Sequence, residues 1–339
     1  MNPTITFAAI GAAHPHVYSQ VDALLHAGAS LKWFFDHQAD ARAEFAARYP
    51  QARLAVHTEQ VLSDPDVQLI VGTVPHDERA ALGITVMQHG KDYLCAKPGF
   101  TTIEQLKAVN QVQQETERIY SIFFGERFDS PATIKALEIV QAGRIGRVVQ
   151  TIGMGPHRLF QGKPRPDWVF DRARYGGILN DLASHQIDQF MLFTGSQQAE
   201  IVSAQVGQAK FQQFAAFEDF GDLTLRSDHA TGYIRVDWLT PDGMPTWGDV
   251  RLFVIGTNGS IEIRKNVDLD GQQGANHLFV VDESGVERIM CESVELPFAR
   301  QLINDVLNRT ETAMTQAHCF TVSELALIAQ SRAQHIALR

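Results

Sequence analysis

The chain is short of cysteine, of basic residues and of long apolar runs, and each shortage removes a class of protein. Three cysteines, Cys95, Cys291 and Cys319, are scattered along 339 residues. Their number is odd and their spacing fits neither a disulfide framework nor a zinc motif, so a reducing cytoplasm is the expected home. Lys and Arg number 29 against 39 Asp and Glu, a net charge of −10. Without a basic block, the chain lacks the face that nucleic acid requires. No apolar run nears the ~20 residues of a membrane helix. The opening Met1-Asn2-Pro3-Thr4 has no basic region of the kind that begins a signal peptide. No internal repeat or low-complexity stretch stands out. What remains is globular: 45% hydrophobic and 20% charged residues, in a chain too long for one ordinary core. Two domains are expected.

The first third alternates strands with helices. Apolar runs at Ile5–Ile10, Leu31–Phe35, Val67–Thr73, Lys91–Cys95 and Ile119–Phe123 read as buried strands. Residues 16–28, 39–48, 78–89 and 102–117 between them read as helices, with Thr102 as a cap. That alternation implies a parallel, doubly wound sheet, which binds ligands at the carboxyl ends of its strands. The first such end is Gly11-Ala12-Ala13-His14-Pro15-His16. A full Gly-x-Gly-x-x-Gly fingerprint is absent: Ala13 and His16 stand at the second and third glycine positions. The turn still opens a helix, whose N-terminus can hold phosphate. Asp36 ends the second strand, 25 residues after Gly11. A carboxylate there accepts from ribose hydroxyls and repels a 2′-phosphate, and the next residue is His37, not Arg. NAD is therefore expected over NADP. His14 and His16, two apart around a proline with no third ligand nearby, make a poor metal site. They read as packing or cofactor-edge residues, and no metal is expected.

Lys97 follows a strand and precedes Pro98, which biases it towards an extended conformation at the strand's carboxyl end. A lysine there can stabilise developing alkoxide charge. Further on, Tyr175-Gly176-Gly177 leads into a segment where Asp181, His185 and Asp188 stand at i, i+4 and i+7. On an α-helix they share a ~60° wedge, opposite an apolar arc of Leu182, Ala183, Ile187, Phe190 and Met191. The wedge is expected to face away from the core, with two carboxylates flanking one imidazole. Histidine titrates nearest neutrality, and a carboxylate one turn away can fix its tautomer, so the pattern suits proton transfer.

Taken in order, the degenerate Gly11 turn, Asp36, Thr73-Val74-Pro75-His76, Ala96-Lys97-Pro98 and the Gly176–Asp188 helix resemble the Gfo/Idh/MocA oxidoreductases. The resemblance runs over essentially the whole chain. In the family the lysine motif is usually Glu-Lys-Pro; here Ala96 replaces the Glu. The resemblance implies an α/β fold: an N-terminal Rossmann domain, then an α+β domain with a large, mostly antiparallel sheet. It matches the family's catalytic lysine, aspartate and histidine to Lys97, Asp181 and His185. Cofactor contacts are expected from Gly11, Ala12, Ala13, His14, His16, Asp36, Thr73, Pro75, His76 and Lys97. It implies an NAD-dependent dehydrogenase acting on a sugar or polyol, and a homodimer or homotetramer built through the open sheet face. Some relatives instead use NAD transiently to cleave glycosidic bonds, and a few are dinucleotide-binding regulators that tend to lose the triad.

The expected boundaries are 1–123 for the Rossmann domain, 124–320 for the second domain and 321–339 for a C-terminal helix packing back on the first. Past residue 124, Ser130–Gly143 reads as a helix and Val148–Ile152 begins strands. Period-two alternation marks 222–225, 231–238, 250–255 and 259–264; the residues around Ile201 are less decisive. Substrate contacts are expected from Arg127, His157, Arg158, Arg165, Asp167 and Trp168, besides Asp181 and His185. Asp249 and Arg251, beside Trp247, rank lower. Polar groups beside an aromatic ring suit a sugar. The arginines suit a carboxylate or phosphate.

Overall fold

A computed structural model describes residues 4–162 and 164–337. The chain divides into two compact units, one of residues up to Phe123 with Pro297–Phe320, the other of Phe124–Leu296 with the residues from Thr321 onward. The sequence places a boundary after residue 123 but assigns the returning segment to 321–339. The segment that groups with the first unit is Pro297–Phe320. The reason lies in its partners. Arg309 reaches the buried Asp92 carboxylate, the Gln316 side chain accepts from the Tyr120 amide, and Phe298 meets Phe123 edge-on.

The first unit holds a six-stranded sheet: β1 (Thr6–Ile10), β2 (Ser30–Phe35), β3 (Arg53–Leu54), β4 (Val67–Gly72), β5 (Asp92–Ala96) and β6 (Tyr120–Phe123). All pairs are parallel, in the order β3-β2-β1-β4-β5-β6. This is the doubly wound order, with its switch point beside β1. Ile10 pairs with Phe35 on one side and Gly72 on the other. The carboxyl ends of β1, β2 and β4 are therefore level. Helices His16–His26, Ala39–Arg48, Arg79–Gln88 and Ile103–Thr116 connect the strands. Thr102 caps the last of these through the Gln105 amide at 3.2 Å, as its sequence position requires.

The second unit holds a nine-stranded sheet. Its strands are β7 (Val148–Pro156), β8 (Glu200–Gly207), β9 (Phe220–Arg226), β10 (Thr231–Asp237), β11 (Arg251–Gly256), β12 (Gly259–Arg264), β13 (His277–Asp282), β14 (Gly285–Ile289) and β15 (Gln334–Ile336). The order is β14-β13-β12-β11-β7-β10-β9-β8-β15, antiparallel except at β7–β10 and β8–β15. One face packs a core of Leu252, Val254, Ile261, Ile263, Leu278 and Val280 against Ala132, Ala136 and Ile139 of the helix Pro131–Gln141. The other carries alternating, incompletely buried residues, among them Ile152, Phe253, Phe279 and the exposed Tyr233 and Val281.

A second helical segment lies on the packed face, and the sheet makes room for it with glycine. A Cβ at Gly153 would meet the Gln186 side chain at 2.6 Å, and one at Gly155 would meet it at 2.9 Å. Gly221 and Gly232 face Leu179 and Phe190 in the same way. The helical segment that carries Asp181 and His185 therefore rests close on bare strands.

Candidate active site

In the first unit, the Gly11 turn is stitched between the ends of β2 and β4. Gly11 takes φ +83°, open to glycine, and a side chain there would strike Val74. Its amide donates to the Phe35 carbonyl at 2.8 Å, and the Ala13 amide donates to the Thr73 carbonyl at 3.0 Å. The buried Thr73 hydroxyl donates back to the Gly11 carbonyl at 2.5 Å. Thr73 thus braces the turn from below. Asp36 accepts from the Ala12 amide and from the Gln38 amide, both at 2.7 Å, one on each carboxylate oxygen. Each oxygen keeps a further lone pair. A half-exposed acid beside a turn of small residues fits the ribose end of a dinucleotide. The His14 and His16 rings lie 4.0 Å apart at the start of the helix. Among the described residues, no cluster of three or more His, Cys, Asp or Glu could hold a metal ion.

Pro75 precedes a short turn in which His76 is buried. Lys97 is also buried, and the Lys97–Pro98 peptide is cis. The loop at Lys97 is held by a residue that no sequence pattern singles out. Arg79, wholly buried, donates to the carbonyls of Val74, Ala96, Lys97 and Pro98 at 2.6–3.0 Å. One guanidinium thereby ties the end of β5 to the segment after β4. Nothing local marks Arg79, which reads as an ordinary helical arginine.

In the second unit the expected uniform α-helix is a π-helical turn, Leu179–Ala183, followed by an α-helix, Ser184–Thr194. The wider turn contains Asp181 and ends two residues before His185, so a 100° wheel does not describe their relation. Nor does the wedge face solvent: every residue from Tyr175 to Met191 is buried. The start of the segment is built by distant side chains. Gly177 sits at φ +91°, where a Cβ would lie 2.3 Å from the Gln330 side chain. The Gln330 carbonyl accepts from the Leu179 amide at 2.8 Å, and Glu218 accepts from the Ile178 amide at 2.9 Å. Gln330 in turn donates to Glu218. These caps satisfy amides that a buried helix start would leave without partners. Neither residue was a sequence candidate, because each lies far along the chain from the helix it caps.

Asp188 has an ion-pair partner of its own. It is wholly buried and paired with Arg127 at 3.0 Å. Arg127 is thus committed within the protein, with its guanidinium over the Phe128 ring. His185 stands edge-on to Phe124. Glu126 accepts from Gln186 and binds Gln189 through its backbone carbonyl, which ties the helix to the segment after β6.

The remaining candidates form an aromatic corner beyond β7. His157 lies between Trp247, at 4.6 Å, and Trp238, at 5.4 Å, and its Nδ1 contacts the Gly155 carbonyl at 3.0 Å. Arg158 is tied to carbonyls of Pro241 and Met244. Asp167 is exposed at the start of a short helical turn, and Trp168 is buried within it. Arg165 packs its guanidinium over Trp238 at 5.2 Å, and its Nε donates to the Leu159 carbonyl at 2.7 Å. Burial pushes its pKa down, and the Asp181 charge opposes that shift. Asp249 and Arg251 pair with each other at 2.9 Å.

The site can thus present a buried imidazole and carboxylate on one helix, beside an arginine and a tryptophan. Residues 7–124 match the oxidoreductase family with the NAD-binding Rossmann fold. Residues 133–262 match the GFO/IDH/MocA C-terminal domain. The scyllo-inositol 2-dehydrogenase (NAD(+)) of Bacillus subtilis is 30% identical over 210 residues, covering 60% of this chain and 57% of that protein. The match therefore spans little more than half the length of the curated relatives. A solved structure of a proposed oxidoreductase from Erwinia carotovora atroseptica SCRI1043 is 44% identical, with a TM-score of 0.95, over 98% of this chain and 100% of that one. A levoglucosan dehydrogenase solved with NADH shares the fold at TM-score 0.78 and 17% identity, over 98% of each chain. Among the described residues, no helix is long and apolar enough to cross a membrane.

Proposed function

The chain belongs to the Gfo/Idh/MocA family of oxidoreductases, and on that premise we propose that it is an NAD-dependent dehydrogenase of a sugar, polyol or related compound. The reading rests on one observation above others: Asp181 and His185 are buried on a single helical segment whose start is capped by Glu218 and Gln330. Burying ionisable groups is costly, and such groups cluster where chemistry is done. The names of relatives, scyllo-inositol 2-dehydrogenase and levoglucosan dehydrogenase, support a polyol or sugar as substrate.

In this mechanism His185 takes the proton from a hydroxyl on a secondary carbon. Asp181 orients the imidazole and stabilises its charged form. Lys97, held by the Arg79 clamp on its own loop, stabilises alkoxide character on the substrate oxygen. Bound NAD supplies the hydride acceptor. Asp36 would hold the adenosine ribose, its spare lone pairs accepting from the hydroxyls and its charge disfavouring a 2′-phosphate. The half-exposed face of the nine-stranded sheet is the proposed surface for assembly into a homodimer or homotetramer.

NADH formation with NAD across inositols, aldoses and their acids and phosphates tests the reading. His185→Ala should lower kcat by ~10²–10⁴. A variant with near-full turnover would remove His185 from the mechanism.

A further inference from the structure

The arginines of the second unit differ in whether the protein itself supplies an anion. Arg127 pairs with Asp188, Arg172 with Glu218 and Arg251 with Asp249. Arg158 donates to backbone carbonyls and lies 3.8 Å from the Asp242 carboxylate. Arg165 is different. Its Nε is fixed by the Leu159 carbonyl and one face of its guanidinium is covered by Trp238. Among the described residues, neither terminal nitrogen has a hydrogen-bond or ion-pair partner. The fork is thus anchored at its stem, its plane is set by the indole, and its two outward donors remain available. Its guanidinium lies within reach of the charge of Asp181, the carboxylate of the proposed catalytic pair.

A guanidinium anchored in this way is a preorganised receptor for a planar, two-oxygen anion. Holding it rigidly in a partly desolvated corner is unfavourable unless an anion completes it. We propose that the substrate carries a carboxylate and that Arg165 binds it bidentately, so the compound oxidised is a sugar acid or polyol acid rather than a neutral polyol. This rests on the dehydrogenase reading and narrows it. A carboxylate is favoured over a phosphate by charge. A phosphate ester carries nearly two negative charges, whereas this corner offers one open fork with Asp181 close enough to be sensed. One carboxylate is matched by one guanidinium. Trp238 and Trp247, with His157 between them, would then flank the carbon skeleton.

The experiment compares matched compounds that differ at one group: a hexose, its uronic acid and its 6-phosphate, and likewise a polyol with its acid. Each is assayed with NAD using wild type, Arg165→Lys and Arg165→Gln. The acids should exceed their neutral parents in kcat/KM. Arg165→Gln should raise KM for the acid by about 10- to 100-fold, the loss of one charge-assisted bidentate pair, and so cut the acid-over-neutral ratio of kcat/KM by about tenfold or more. Arg165→Lys keeps the charge without the fork and should fall between them. Preference for the neutral parent, an equal loss on both, or preference for the phosphate would overturn the proposal. Direct titration of the acids by calorimetry, in the presence of NADH, separates this claim from the activity it rests on. Acid binding that Arg165→Gln abolishes, with no turnover of any compound, would refute the dehydrogenase and uphold the carboxylate site. Turnover of neutral polyols untouched by Arg165→Gln would do the reverse.

Discussion

Replacing Arg127 by methionine should cost the second unit far more than an ordinary surface arginine would. The Asp188 side chain is 0% exposed and that of Arg127 is 13% exposed, with the ion-pair atoms 3.0 Å apart. Exposed pairs contribute about 0–1 kcal/mol. Here the carboxylate has no water to return to, so its partner's removal leaves a charge in a low-dielectric interior. Breaking one half of such a pair costs about 3–5 kcal/mol. At about 2–4 °C per kcal/mol for a domain of this size, the unfolding midpoint should drop by about 6–20 °C. The double variant Arg127→Met, Asp188→Leu removes the stranded charge with its partner. It should recover most of the loss, because apolar replacement of a whole buried pair is often neutral. Thermal and urea unfolding of wild type, both singles and the double form the cycle. A loss below about 1 kcal/mol in Arg127→Met, or simple additivity in the double, would show that the pair is effectively solvated and that the reasoning from burial fails.

Four further outcomes follow from other contacts. Gly153→Ala puts a methyl group 2.6 Å from the Gln186 side chain and should destabilise by about 1–3 kcal/mol through overpacking, read as a lower urea midpoint. Arg79→Met strips donors from the Ala96, Lys97 and Pro98 carbonyls; kcat should fall while the dissociation constant of NAD, followed by fluorescence, moves less. At Asp64, burial raises the pKa, but hydrogen bonds from Lys32, Trp33 and the Asp66 amide outweigh it and hold the group at about 2. The folded pKa is therefore below the unfolded value of about 3.9, so this contribution is complete above about pH 4 and is lost as pH falls towards 2. Asp64→Asn should flatten that part of the stability profile in acid titrations. Phe253→Asp, on the open sheet face, should convert a homo-oligomer to monomers in light scattering, and an unchanged mass would place assembly elsewhere.

The parallel sheet was legible because its strands are short apolar runs ended by Gly11, Asp36 and Pro75, and burial on both faces leaves that mark in any order of residues. The strands from β9 to β12 were legible through period-two alternation, which a sheet open on one face imposes. The weaker strands were not: β3 has two residues, and β14 is largely exposed at the sheet's edge, so neither leaves a pattern. The segment from Gly176 to Asp188 is recognisable as important, but its burial leaves no mark in the sequence. A helix with polar residues on one side normally turns that side to water. Here Glu126, Arg127, Glu218 and Gln330 come from distant parts of the chain to meet it, and long-range pairing leaves no local trace. The π turn is hidden for a related reason, since it depends on caps that fix the helix start.

The first unit is assembled from two stretches of chain separated by most of the second. Asp92 and Arg309, 217 residues apart in sequence, share a bond of 2.8 Å with the aspartate almost wholly enclosed. During synthesis, at about 5–20 residues per second, the strand bearing Asp92 leaves the ribosome roughly 10–40 s before its arginine. For that interval the nascent Rossmann sheet has an acid where its finished form has a neutralised pair. A protein ended by an early stop codon anywhere between residues 124 and 308 would lack the piece that closes it, even though all six strands of that sheet had been made.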